Sequence, residues 1–276
     1  MNISATEVNK LRQMTGAGMM DCKSALIETQ GDFDAAVDFL RKKGAKISAK
    51  RADRDANEGA VISIVNEARS LGAIIELNCE TDFVAKNEGF VSLARGIAGL
   101  ALENKPESID ALKALSLNGI SVSDRLMEEV AKIGEKIDIS KYELIEGKNI
   151  VSYIHGANRM GVLVELNNIP SDANFTAGKD IAMQIAAMSP VAINRESVDA
   201  RTIERELAVG REQALAEGKP EAMIERIANG KLEKFYKDST LLAQDYVKDG
   251  SMTVEKYLAS VEPGLTVNRF KRIQLG

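Results

Sequence analysis

Tryptophan is absent from the 276 residues, and the aromatics together make up only 4% of them. A core with so few large rings has to be assembled from Ala, Leu, Ile and Val, a palette that leans helical. Cysteine occurs only as Cys22 and Cys79, too far apart for a C-x-x-C pair. Redox and zinc chemistry are therefore not expected, and two reduced thiols in a reducing cytoplasm are. No run of about 18 apolar residues is present to span a bilayer. Nor does the N-terminus show a basic segment leading into an apolar one, or an Arg-rich transit pattern. Cytoplasmic localisation, with no membrane partner, is the expectation. Lys and Arg number 36 against 41 Asp and Glu, for a formal net charge of -5. That balance argues against a general affinity for nucleic acid, whose phosphates demand bases. What remains, 45% hydrophobic and 28% charged, is ordinary for a globular protein long enough for two domains or for one core with appendages.

Catalysis fails on inventory. His155 is the only histidine, and no serine or cysteine beside it carries a nucleophile motif. There is no Walker A sequence. Gly16-Ala17-Gly18 begins like a dinucleotide loop, but Asp21 stands at the third glycine position and no strand precedes it. No carboxylate and histidine cluster has metal-ligand spacing. No enzyme activity, cofactor or metal is expected.

The first part of the chain reads as three helices. Ser4 and Glu7 have capping-box spacing, with Val8, Leu11 and Met14 following at helical intervals. Gly16 and Gly18 break the pattern. Asp21 is placed to cap a second helix with Cys22, Ala25, Leu26 and Thr29 on one face; Gly31 ends it. Asp32 caps a third, with Phe33, Ala36, Val37 and Leu40 inward. A unit this small buries a thin core, which leaves its surface for a partner. The basic stretch holding Arg41, Lys42, Lys43, Lys46, Lys50, Arg51 and Arg54 reads as a solvated linker helix or as an RNA-contacting patch. The acidic remainder favours the helix.

From Val61 the period changes. Val61–Val65 and Ala73–Leu77, separated by a polar turn, signal a β-hairpin, and a helix follows over Glu88–Glu103, then helical sequence around Ser108–Ile133. The hairpin recurs: Val61–Asn78 aligns without gaps on Ile150–Asn167, with identities at Ser63/Ser152, Ala68/Ala157, Gly72/Gly161, Glu76/Glu165, Leu77/Leu166 and Asn78/Asn167. The second copy also leads into a helix, near Phe175–Met188. A single duplication is not a solenoid; it implies two related α+β subdomains side by side. Asp199–Glu217 and Pro220–Tyr236 then read as two charged helices joined at Gly218-Lys219-Pro220. Ile203, Leu207 and Ala214 on one, and Ile224, Ile227, Leu232 and Phe235 on the other, form narrow apolar stripes suited to an antiparallel arm. Thr253–Leu258 reads as helix and Thr266–Gln274 as a closing strand.

Two features stand apart. Met19-Met20 follows the glycines in an expected loop, either as buried gap-fillers or as a contact for another protein. Thr81-Asp82-Phe83-Val84 directly follows a strand. Its bland reading makes Thr81 a helix N-cap and Phe83 a core residue.

Leu11-Arg12-Gln13-Met14-Thr15-Gly16-Ala17-Gly18-Met19-Met20-Asp21-Cys22-Lys23 closely resembles the N-terminal signature of the elongation factor Ts family. Cys79-Glu80-Thr81-Asp82-Phe83-Val84-Ala85-Lys86-Asn87 resembles its second signature. Ser152-Tyr153-Ile154-His155-Gly156-Ala157 and Gly218-Lys219-Pro220 are similar to further family segments, in family order.

The resemblance implies an α+β protein with a ubiquitin-associated-like (UBA-like) three-helix domain at residues 1–50 and a linker at 51–58. One core subdomain would occupy 59–140 and a second 141–195 with 237–276. An antiparallel coiled-coil arm at 196–236 would complete the chain. It also implies a guanine-nucleotide exchange factor for elongation factor Tu. Arg12, Met19, Met20, Asp21 and His155 would be partner contacts. Thr81, Asp82, Phe83 and Val84 would intrude beside the partner's nucleotide and dislodge its Mg²⁺. The arm mediates self-association in some members, so a homodimer or heterotetramer is possible. Members of this length commonly continue past the closing strand into a C-terminal helix, whereas this chain stops at Gly276. The competing reading is an adaptor whose three-helix domain captures peptides, for which the Thr-Asp-Phe-Val segment has no use. An RNA-binding accessory protein comes third, disfavoured by charge.

Overall fold

The computed structural model describes residues 3–276. It is a mixed α and β structure, beginning with helices α1 (Ala5–Thr15), α2 (Met19–Glu28) and α3 (Phe33–Lys50). The Ser4 hydroxyl accepts from the Glu7 amide while the Glu7 carboxylate accepts from the Ser4 amide, so both orphan donors at the start of α1 are satisfied. Gly16, left-handed at φ 68°, ends α1. Val8, Leu11, Ala17, Cys22, Ala25, Leu26, Ala36 and Leu40 form the shared core.

Four expectations are corrected in this region. Met14 lies outside the core, 57% exposed. The inward line from Leu11 runs instead through Thr15, whose hydroxyl donates to the Leu11 carbonyl. Asp21 does not cap α2: Gly18 does, its carbonyl taking the Cys22 amide at 2.9 Å, and Met19 and Met20 lie in the first helical turn rather than in a loop. The basic stretch is not a separate solvated helix. Its residues from Arg41 to Lys50 continue α3, where Lys43 pairs with Asp21 and Arg41 with Glu128, while Arg51 caps the helix and Arg54 lies past it.

The first sheet contains β1 (Glu58–Val65), β2 (Leu71–Cys79) and β5 (Asp138–Glu146), all antiparallel, in the order β1-β2-β5. Between β2 and β5 lie α4 (Asp82–Ala85), α5 (Glu88–Asn104), α6 (Ile109–Ala114), the short hairpin β3 (Ser116–Leu117) and β4 (Ile120–Ser121), and α7 (Val122–Ile133). The expected subdomain boundary between 140 and 141 therefore falls inside β5, whose ladder with β2 keeps it in the first sheet. The Asn66 side chain shapes the β1–β2 turn by accepting from the Ser70 and Leu71 amides. One face of β1 and β2, with Ile62, Ile75 and Leu77, packs under α5 through Phe90, Ala94, Ile97 and Ala101.

The second sheet repeats this plan: β6 (Asn149–His155), β7 (Met160–Leu166) and β10 (Val267–Gln274), in the order β6-β7-β10, with α8 (Asp172–Met188) beneath. The two sheets meet face to face through Val61, Ile74, Ile145, Ile150, Leu163, Ile273 and Leu275. Every residue of β2 is buried because both of its faces are covered.

Helices α9 (Ala200–Ala216) and α10 (Glu221–Ser239) interrupt the second repeat. They run antiparallel, with Gly210 against Ala228, Arg211 paired with Glu225, and Lys231 donating to Gln213. Ile224, Ala228, Leu232 and Tyr236 are the buried positions of α10. Phe235, expected in the stripe, is only partly buried; the stripe turns toward Tyr236, which is covered by the Arg195 guanidinium 4.4 Å from its ring. A hairpin not foreseen from sequence, β8 (Asp245–Tyr246) and β9 (Asp249–Thr253), precedes α11 (Val254–Val261). It is seated by Asp180 of α8, which accepts from the hydroxyls of Tyr246 and Tyr257 and from Lys248. No helix of the described residues is long and apolar enough to cross a membrane.

Candidate functional site

Strand β2 delivers the chain to a tight turn at its open end. Thr81 is extended, φ -122° and ψ 152°, and its hydroxyl oxygen accepts from the Val84 amide, capping the single-turn helix α4. The same hydroxyl donates to Glu135 Oε1 at 2.7 Å, and Glu135 Oε2 accepts from the Glu80 and Thr81 amides at 3.1 and 3.0 Å. Val84 and Ala85 lean on the first core. Phe83 points away from it and is 84% exposed. The bland reading is thus right about Thr81 and wrong about Phe83. The core aromatic is Phe90, one element further on, 2% exposed. Asp82 shares the turn and takes the Lys86 ammonium at 2.6 Å, a bond that holds its carboxyl below the usual carboxylate range. The i, i+4 spacing of these two residues was a readable signal for that pair.

Glu80 anchors the turn from its other side. It takes Arg51 at 2.6 Å, Arg54 at 3.3 Å and the Lys136 amide at 2.6 Å. Burial alone would raise its pKa; these donors outweigh that and hold it lowered. The end of α3 and the segment after it are therefore fastened to the turn that carries Phe83, and Lys136 closes the junction by donating to the Ala52 and Arg54 carbonyls.

The N-terminal positions lie around the start of α2. Met19 is 51% and Met20 70% exposed, and Ile27, two turns further along α2, is 51% exposed. Two adjacent methionines in water at the start of a helix are an unpartnered apolar surface. Arg12 is exposed in the last turn of α1, and Asp21 is held by Lys43. What joins this region to the Thr81–Val84 turn is α3, bonded to Asp21 through Lys43 and continuing to the Glu80 anchor through Arg51.

His155 ends β6, exposed, with Nδ1 2.9 Å from the Tyr153 hydroxyl. The turn after it is left-handed at Gly156, Ala157 and Asn158. The Asn158 carbonyl accepts from the Val61 amide at 2.7 Å, and Arg159 pairs with Glu58, which lies opposite Cys79 in the β1–β2 ladder. The His155 turn and the Phe83 turn therefore share one end of the sheet pair.

Both thiols are free and buried. Burial pushes the Cys79 thiol up to about 12, and it donates to the Thr81 carbonyl at 3.2 Å; burial raises Cys22 as well. Neither offers a thiolate near neutral pH. The residues that sequence reasoning missed are Glu80 and Glu135. Glu135 comes from the α7–β5 connection, and nothing local marks an acid there as the partner of a turn so distant in the chain.

The sequence model of the family described as Elongation factor TS matches residues 80–276. The Elongation factor Ts of Amoebophilus asiaticus is 51% identical over 276 residues, covering 100% of both chains. That of Flavobacterium psychrophilum is 50% identical, covering 99% of both. That of Porphyromonas gingivalis is 44% identical, covering 100% of this chain and 99% of its own.

Proposed function

The chain belongs to the elongation factor Ts family, and on that premise we propose that it is a guanine-nucleotide exchange factor for elongation factor Tu, promoting GDP release in translation elongation without covalent chemistry. The observation that carries this reading is Phe83: an aromatic ring in water, on a one-turn helix held by Glu135 and Glu80. A ring stabilises its own fold mainly through burial, and Phe83 has little of it.

Exchange follows from linkage. A factor that binds the nucleotide-free partner better than the GDP-bound one weakens GDP, and GDP weakens the factor by the same ratio. The Mg²⁺ of the partner neutralises the diphosphate, so an arrangement that excludes the metal raises the cost of holding GDP. Phe83 acts as the wedge that stabilises this arrangement, with Thr81, Asp82 and Val84 as the rest of the intruding segment. Asp82, already paired with Lys86, presents a partly neutralised carboxylate. It serves as a hydrogen-bond acceptor on the partner more readily than as a bare repelling charge. Arg12, Met19, Met20 and Asp21 form a second contact, and His155, beside the Phe83 turn, joins the first.

The three-helix unit serves as a UBA-like docking domain, the two repeats as core subdomains, and α9–α10 as the arm. Val209 and Leu215 are exposed on α9, at 40% and 59%, and offer the apolar contact for a second copy.

Reciprocity supplies the test. Immobilised on a resin, the chain should retain elongation factor Tu from a bacterial lysate and release it when GDP is added. Retention that GDP does not reverse contradicts exchange activity.

A further inference from the structure

Resting on the exchange reading above, we infer that Glu135 is a positioning residue for Phe83: it fixes in the free protein the orientation in which the ring meets the partner. The ring has no packing of its own to hold it, being 84% exposed. A helix of four residues cannot hold itself either, since its single turn leaves nearly all the cost of nucleation uncompensated. The backbone beneath Phe83 is therefore fixed from outside, in part by Val84 and Ala85 leaning on the core and in part by hydrogen bonds to the residues before it.

The fixing groups form a reciprocal clasp between two segments distant in sequence. The Glu135 carboxylate accepts from the Glu80 amide, the Thr81 amide and the Thr81 hydroxyl, at 3.1, 3.0 and 2.7 Å. In return the Glu80 carboxylate accepts from the amide of Lys136, the next residue, at 2.6 Å. Gly134, left-handed at φ 84°, ends α7 and turns the chain so that Glu135 faces the turn. Hydrogen bonds to an ionised acceptor are roughly twice as strong as neutral ones. Three of them on one carboxylate order the two residues that set the direction of α4. Thr81 thereby serves two partners, accepting from Val84 as the cap of α4 and donating to Glu135 as its anchor. Without the clasp, α4 keeps only the packing of Val84 and Ala85 on the core, and the ordering left to complete on meeting the partner would be subtracted from the interaction that drives exchange.

The test is a double-mutant cycle read by stopped-flow release of fluorescent GDP from elongation factor Tu, using the full chain. Glu135→Ala should slow stimulated release by ~10-fold or more in the wild-type background. In the Phe83→Ala background the same change should slow release by a clearly smaller factor, because the main group it positions is gone and only Thr81, Asp82 and Val84 remain. Glu135→Gln keeps one acceptor oxygen and should fall between; if the alanine variant does not fold, the cycle is run with it. A merely structural role would slow release by the same factor in both backgrounds, and that outcome, or a wild-type rate for Glu135→Ala, overturns the inference. Phe83→Ala itself exchanging at the wild-type rate would instead remove the wedge reading on which the inference stands. The two failures are thus told apart in one experiment.

Discussion

Gly72 and Gly161 occupy equivalent positions in the two hairpins, and each is closed over by the other hairpin. A Cβ on Gly72 would meet Ile150 and Leu163 at 2.9 Å; one on Gly161 would meet Val61 and Ile74 at 2.9 Å. Val61 is the repeat counterpart of Ile150, and Ile74 that of Leu163, so the contact is its own image under the duplication. The missing side chains are what let the two sheets approach.

Gly72→Val and Gly161→Val should each destabilise the fold by ~1–3 kcal/mol, the usual cost of overpacking a core. Alanine should cost less at both sites because it adds one methyl rather than three carbons, although it still meets the stiff β-branched Ile150 and Val61. Chemical denaturation of the four variants measures this, and equal costs at the two sites would reflect the internal symmetry.

That relationship was legible in the sequence as far as the repeat itself. The ungapped pairing of Gly72 with Gly161 and of Glu76 with Glu165 marks two equivalent hairpins, and both form. The third strands were legible unequally. β10 announces itself by alternation; β5 carries Ser140, Lys141 and Glu143 amid its apolar residues and lies at an edge, where β2 supplies the pairing that its own pattern does not announce. The hairpin β8–β9 has no apolar alternation at all and depends on Asp180 from α8. At the site, Thr81 as a cap was readable from local chemistry. The exposure of Phe83 was not, since spacing alone does not tell which of Phe83 and Phe90 turns inward.

Asp180 makes stability depend on pH at both ends. Burial would raise its pKa, but Lys248, Tyr257 and Tyr246 together lower it below the ordinary 3.8. A depressed carboxylate stabilises the fold above its unfolded pKa, and that contribution is lost as pH falls through the folded value. Burial and the Asp180 bond raise Tyr257, and burial raises Tyr246, above 10. Their contribution is complete below 10 and is lost as pH rises beyond it, because the unfolded chain ionises first. Asp180→Asn should therefore be less stable than wild type near neutrality, and the gap should narrow below about pH 4, where the unfolded carboxylate protonates. Denaturant midpoints across pH check this; a gap that does not change with pH contradicts it.

Met19→Ala combined with Met20→Ala should melt close to wild type, since both side chains are already in water. Binding to elongation factor Tu should weaken, with buried interface anchors typically costing ~1–2 kcal/mol or more each when truncated. Calorimetric titration against the nucleotide-free partner, beside a thermal melt, separates the two effects. A collapsed melting temperature with unchanged affinity would return the methionines to a structural role.

The most direct test of the account is Phe83→Ala, measured by stopped-flow release of fluorescent GDP from elongation factor Tu and by thermal melting of the same protein. Truncating a core phenylalanine costs ~3–5 kcal/mol, whereas Phe83, 84% exposed, should leave the melt nearly unmoved. Stimulated GDP release should slow by ~10- to 100-fold, equal to about 1.4–2.8 kcal/mol of lost coupling expressed in the release barrier. A wild-type melt with slowed release is the result predicted. A variant that melts far lower, or that releases GDP at the wild-type rate, contradicts the assignment of Phe83 as the wedge.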